Sequence, residues 1–248
     1  MPLTRQSAAA WHLAISGLVG LVTAALVYAL WYPGLLGRAV GVTEIFLMVL
    51  VVDVAVGPLL TLVAYKPGKP GLRLDLALIA ALQVSALLYG VHTVAVGRPA
   101  FLVFVKDSFT VVRVPDVEAA HWQAAVAPYR RPPWLGPIWV AAYMPEDVDT
   151  RNEIVWAILS GGADLTERPQ FYAPLQQAAG EMKSSAQPLV QLHEFNPGQI
   201  DAVAALEKRY LGQSPGFLPL KARTRDMAVI VNVQTGEVLE TADLRPWL

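Results

Sequence analysis

The chain has 248 residues, of which 54% are hydrophobic and only 16% charged, and its mean hydropathy is +0.42. Soluble domains carry about 25% charge, so this composition excludes both an ordinary soluble globule and a disordered chain. The lack of cysteine rules out disulfides, iron–sulfur clusters, thiolate zinc sites and a cysteine nucleophile, and a net charge of −1 supplies no basic field for nucleic acid.

Charge is unevenly spread along the chain. Residues 1–97 hold eight formal charges, Arg5, Arg38, Glu44, Asp53, Lys66, Lys69, Arg73 and Asp75, and the other 31 lie beyond them. The boundary near Gly97-Arg98-Pro99 is thus a change of solvent. It separates a transmembrane module of three α-helices, residues 1–97, from an α+β domain in water, residues 98–248.

The first apolar stretch, Ala8 to Trp31, has 24 residues and no formal charge. Val42 to Tyr65 is interrupted by Glu44 and Asp53, and Leu76 to Val96 is uncharged. Each exceeds the ~20 residues needed to cross ~30 Å of hydrocarbon. The first is too long for the apolar core of a signal peptide and ends in Trp31-Tyr32-Pro33, not at a small-residue cleavage site, so it reads as an uncleaved span. Trp11, Trp31 and Tyr32 suit its interfacial ends. The connection Lys66–Arg73 carries Lys66, Lys69 and Arg73, whereas the connection around Pro33–Gly41 carries only Arg38. Positive charge stays in the cytoplasm. The N-terminus and the Lys66–Arg73 loop are therefore expected inside, and residues 98–248 outside, in the periplasm of a Gram-negative cell.

In the second half, Ala100–Val105 and Phe109–Val114 are β-rich runs around Lys106-Asp107-Ser108, a hairpin signal. Ile138–Tyr143 is a further strand. Helical spacing predicts helices over Asp147–Leu159, Pro174–Lys183 and Pro197–Leu211. Met227–Val233 and Glu237–Thr241, joined by Gln234-Thr235-Gly236, form a terminal hairpin. Strands at both ends would pair in one mainly antiparallel sheet with helices on one face.

Asp53 carries the most chemistry in the membrane half. A carboxylate at mid-bilayer costs roughly 2.5–3.5 kcal/mol, so it must face other helices, find a partner or take up a proton. Gln83 and Tyr89 on the third span lie at a depth that reaches it, with Ser16 and Thr23 on the first as further candidates. Two readings stand: a contact for a ligand or partner, and a protonated packing contact. Gly57-Pro58 predicts a kink that opens a polar pocket beside Asp53, or is only a bend. Lys66-Pro67-Gly68-Lys69-Pro70-Gly71 is a rigid topogenic turn or a headgroup contact, and lacks the spacing of a phosphate-binding loop. His12, His92, His121 and His193 have no metal-ligand spacing, and His12 and His92 fall near opposite membrane faces. No metal, cofactor or catalytic centre is expected. Tyr129–Pro137, with Trp134 at its centre, is a partner-binding strap or a loop folded over the domain core.

These residues together carry a resemblance. Asp53-x3-Gly57-Pro58-Leu59-Leu60-Thr61-Leu62, Lys66-Pro67-Gly68-Lys69-Pro70, and Leu74-Asp75-Leu76 with Ile79, Gln83 and Tyr89-Gly90 resemble type IV pilin accessory proteins of the TfpX/TfpZ type. So do Phe217-Leu218-Pro219-Leu220-Lys221-Ala222-Arg223, Asp226, Thr235-Gly236 and Pro246-Trp247. The resemblance covers the membrane module and the last ~30 residues, and about 115–210 only in layout. It implies a non-enzymatic inner-membrane factor or chaperone for type IV pilin, with membrane lipids and other pilus assembly proteins as further partners and no nucleic acid. The resemblance supplies no site residues; by their own position and chemistry Asp53, Gly57, Pro58, Gln83, Tyr89 and Trp134 are the expected partner-binding set, and Lys66, Lys69 and Arg73 the cytoplasmic loop. A structural or regulatory subunit of an envelope complex is the alternative. A periplasmic ligand sensor lacks an output domain, and an intramembrane enzyme lacks a second catalytic group.

Overall fold

A computed structural model describes residues 4–248, the side chain of Ile45 excepted. The chain forms two compact units. One runs up to Trp31 and takes in Val42–Val96; the other comprises Tyr32–Gly41 and Gly97–Leu248.

Four helices come first: α1 (Arg5–Leu30), the short α2 (Leu36–Ala39), α3 (Val42–Ala64) and α4 (Leu72–Val96). Among the described residues, α1, α3 and α4 are the three that are long and apolar enough to cross a membrane. In hydrocarbon the backbone must satisfy its own hydrogen bonds, which a continuous helix does. The side chain of Thr4 opens α1 by accepting from Ser7 N–H at 3.1 Å. In this unit α3 packs against both α1 and α4. Small residues mark the crossings: a Cβ on Gly20 would lie 2.6 Å from Leu50 Cδ1, and one on Gly90 would lie 3.1 Å from Val49 Cγ1. Large apolar side chains such as Leu21, Val63 and Leu82 cover the outside of the unit.

The second unit adds β1 (Pro99–Val105), β2 (Ser108–Arg113), α5 (Ala119–Ala124), β3 (Ile138–Ala142), α6 (Val148–Leu159), β4 (Tyr172–Pro174), α7 (Ala179–Ser185), β5 (Gln187–Pro188), α8 (Gln191–Phe195), α9 (Ile200–Arg209), β6 (Pro215–Lys221), β7 (Met227–Asn232) and β8 (Val238–Ala242). Among the described residues eight strands make one sheet, ordered β4-β3-β1-β2-β6-β7-β8, with β5 beside β6. The pairs β1–β3 and β2–β6 are parallel and the others antiparallel. The protein is thus a three-helix membrane module followed by an α+β domain with a mainly antiparallel sheet.

Register decides which residues share a face. Phe101, Val103, Val112, Val140, Phe217 and Ile230 point to one side of the sheet. Two clusters lie on that side, one closed by Tyr129, Leu165 and Tyr172 and the other by Leu192, Val203 and Leu206. Leu102, Phe104, Phe109, Leu218, Leu220 and Val229 point to the other side and are equally buried. The sheet is therefore buried on both faces, not one. That is why β1 and β7 read as unbroken apolar runs instead of alternating ones.

The terminal hairpin forms as expected, its turn held by Asn232 Oδ1, which accepts from Gln234 and Thr235 N–H at 2.8 and 3.1 Å. Asp147 caps α6 by accepting from Thr150 N–H at 2.8 Å. The helix expected from Pro174 begins later, because Pro174 ends β4 and Leu175–Ala178 is a 3₁₀ turn. Likewise α9 begins at Ile200, not Pro197.

The connection Tyr32–Gly41 is built into this second unit. Tyr32, Leu36 and Ala39 are buried. Ala39 O accepts from the N–H groups of Thr224 and Arg225 at 3.0 and 3.1 Å. Arg38 and Arg225 both reach Asp243, at 3.6 and 3.1 Å. Gly41 has φ +75°, and the Thr224 side chain occupies the space a Cβ would need.

Candidate functional site

Asp53, Gly57 and Thr61 follow one another at four-residue spacing, so they form a single stripe along α3. Two polar side chains meet this stripe from the neighbouring helices, His12 on α1 and Gln83 on α4. Gln83 Nε2 donates to the Asp53 carbonyl at 2.9 Å. Gln83 Oε1 lies 2.6 Å from His12 Nε2, and His12 Nδ1 lies 2.5 Å from Thr61 Oγ1. With the Gln83 amide donating to a carbonyl, its oxygen must accept, so His12 carries its proton on Nε2. In the neutral ring Nδ1 is then the acceptor and the Thr61 hydroxyl donates to it. One chain of hydrogen bonds thus ties α1, α3 and α4 together. Thr61 is 2% exposed, so this bonding replaces water that the site excludes.

Gly57 makes the chain possible. A Cβ at Gly57 would overlap the Gln83 carboxamide. Gly57 and Pro58 are both buried, and α3 continues through Pro58 to Ala64. The space beside Gly57 is therefore filled by Gln83 and not left as an open groove. Asp53 itself is half-buried, and its neighbours Val51 and Val52 face outward.

The other residues singled out in the sequence lie elsewhere. Tyr89 stands on the outside of α4, 74% exposed, and does not join the cluster. Lys66 and Lys69 are exposed on the α3–α4 connection and Arg73 is exposed in the first turn of α4, where Asp75 Oδ2 meets Lys69 Nζ at 2.6 Å. Trp134 is 67% exposed in the second unit. Its ring lies 5.2 Å from the guanidinium of the buried Arg98, whose Nε and Nη2 donate to Pro133 O at 3.2 and 3.1 Å. Arg98 therefore pins the Tyr129–Pro137 strap. His12 and Arg98 were not among the predicted site residues. His12 lies seven residues into α1 and Thr61 three from the end of α3, a match in depth that could have paired them.

A membrane module tied together by polar side chains between its helices, joined to one folded α+β domain, defines an integral membrane protein with a single domain outside the lipid. Comparison with known proteins narrows this class. The family model described as Fimbrial assembly protein FimB matches residues 3–34, which span α1 and enter the docked connection. The fimbrial assembly protein of serogroup E1 from Dichelobacter nodosus is 28% identical over 243 residues, 94% of each chain. The fimbrial assembly protein of serogroups C1 and C2 from the same organism is 32% identical over 108 residues, 43% of this chain and 82% of that protein. The chain belongs to the fimbrial assembly protein family. These relatives carry the broad family name and not that of the narrower TfpX/TfpZ type. No solved structure matches the chain at a comparable level.

Proposed function

We propose that this protein is a non-catalytic accessory factor of the inner membrane that binds type IV pilin subunits before or during pilus assembly. The observation that carries the reading is the similarity to fimbrial assembly proteins along 94% of the chain. In this reading the N-terminus and the Lys66–Arg73 loop are cytoplasmic and the second unit is periplasmic. The docking of Tyr32–Gly41 inside the second unit agrees with three crossings, which put the ends of α1 and α4 on one side; the positive charge of Lys66, Lys69 and Arg73 is what assigns that side to the periplasm. An impermeant thiol reagent that labels Lys66→Cys but not Arg38→Cys in intact cells would overturn this orientation.

The half-buried Asp53 supplies the contact. Its inner side is met by Gln83, and its outer side faces lipid in the isolated chain. A carboxylate so placed gains from a donor on a partner helix, because lipid offers none. Helices in lipid associate through such polar contacts and close packing, without a hydrophobic drive. Gly57, Pro58 and Gln83 hold Asp53 in position, Tyr89 adds an exposed surface on α4, and Trp134 on its pinned strap meets the pilin head. Co-isolation from cells in mild detergent tests this. Wild-type protein should carry pilin, and Asp53→Leu should carry several-fold less at equal expression. Equal pilin with both proteins would remove Asp53 from the interface, and no pilin with either would overturn the proposal.

A further inference from the structure

Arg38 stands four residues before Val42, where the apolar helix α3 begins. An extended chain covers at most about 3.6 Å per residue, so Arg38 lies within about 14 Å of the start of that span. The real distance is shorter, because Leu36–Ala39 is helical. This connection is therefore held in or next to the headgroup layer, which adds ~5–8 Å on each side of the hydrocarbon.

Within the second unit, the groups bonded to this connection share its depth. They are the turn after β6, through Thr224 and Arg225, and the segment after β8, through Asp243. This edge is basic. Lys221, Arg223, Arg225 and Arg245 are exposed, and the Arg38 side chain is 60% exposed. Its carboxylates are already engaged: Asp243 by Arg38 and Arg225, and Asp226 by the Ala222 N–H at 2.9 Å. Among the described residues Lys221, Arg223 and Arg245 form no ion pair. Two clefts flank the turn. One of about 700 Å³ is lined by Arg225 and Arg245, by Asp226 and Asp243, and by Pro197 and Trp247. The other, of about 380 Å³, is lined by Val40, Lys221 and Arg223 together with Arg113, its partner Asp116, and Glu167.

We propose that this edge docks on a bilayer surface bearing anionic phospholipid, with Lys221, Arg223 and Arg245 taking headgroup phosphates and Trp247 seated at the interface. The partner is argued from charge complementarity and from the short tether to α3. Lysine and arginine at a membrane surface are drawn to anionic lipid, and tryptophan prefers the headgroup level. The inference rests on α1 and α3 lying in a bilayer and not on pilin being the protein partner.

The chain has no cysteine, so single cysteines report on single positions. Full-length Leu248→Cys protein, labelled with a fluorophore, is reconstituted in phosphatidylcholine vesicles. Nitroxide is added on the headgroup of either phosphatidylglycerol or phosphatidylcholine at equal mole fraction. The label at position 248 lines the larger cleft. It should be quenched at least about twofold more by the anionic lipid. That preference should disappear in ~0.5 M salt and in the Lys221→Gln/Arg223→Gln/Arg245→Gln variant. A label on Thr235→Cys, in the β7–β8 turn at the other end of β7, should report no quenching. Equal quenching by the two lipids, a preference that survives the triple substitution, or no quenching at position 248 would each overturn the proposal. The three substituted side chains make no ion pair, so a matching circular dichroism spectrum is expected from the variant.

Discussion

Gln83 is bonded to two helices at once, through the Asp53 carbonyl and the His12 ring. Interhelical hydrogen bonds in membranes average ~0.6 kcal/mol and reach ~1.7. Replacing Gln83 by Leu removes two and strands the His12 N–H, and a buried unpaired donor costs about 1–3 kcal/mol. Gln83→Leu should therefore lower stability by roughly 1–3 kcal/mol in unfolding from mixed micelles. An unchanged midpoint would mean that water reaches His12. In the second unit Glu167 carries the opposite kind of strain. Burial pushes its carboxyl above the ordinary value, and Asp116, Asp164 and Glu118 add to this, against the hydrogen bond from Asp164 N–H. A raised folded value means that ionisation disfavours the fold once the pH passes the ordinary 4.5. Glu167→Gln keeps an acceptor for Asp164 N–H and should raise the melting temperature at neutral pH. The gain should fade as the pH drops toward 4.5. A gain that is independent of pH would contradict the assignment.

At the scale of elements, the connection Tyr32–Gly41 is the part that most changes the picture. Gly41 takes a left-handed φ with Thr224 against its Cα. A β-branched residue there is strained, by about 1–3 kcal/mol, and also collides with Thr224. Gly41→Val should free the connection from the domain, and trypsin should then cut at Arg38, which the docked connection resists. The sequence made the three apolar helices, the hairpin β1–β2 and the hairpin β7–β8 legible, because long apolar runs and turn chemistry are local signals. It hid β6, since Pro215 and Pro219 argue against a strand inside a sheet. The structure explains the exception. β5 pairs only with Gly216 and Phe217, and β2 only with Leu220 and Lys221, so Pro219 falls between them and faces an unclaimed ladder position. The docking of the connection was also hidden, because it depends on contacts between residues almost 200 positions apart. At the candidate site, Asp53 and Gln83 were legible from depth and polarity. His12 was not, and nothing local in the sequence signals that the missing side chain of Gly57 leaves room for the Gln83 carboxamide.

Across the whole molecule, an intramembrane unit locked by polar bonds and a domain that holds its own connection back to the membrane suit a factor that engages a partner in two solvents. The chain belongs to the fimbrial assembly protein family, and the step from family to pilin binding is the central claim. In-cell photocrosslinking tests it most directly. Probes replace Val52, the outward neighbour of Asp53, and Leu135, the exposed neighbour of Trp134. Both should give an adduct with the major pilin in membranes, and none in sheared mature pili. Adducts retained in finished pili would make the protein a structural subunit. The absence of any pilin adduct from either position, in cells where the protein is expressed and inserted, would contradict the account.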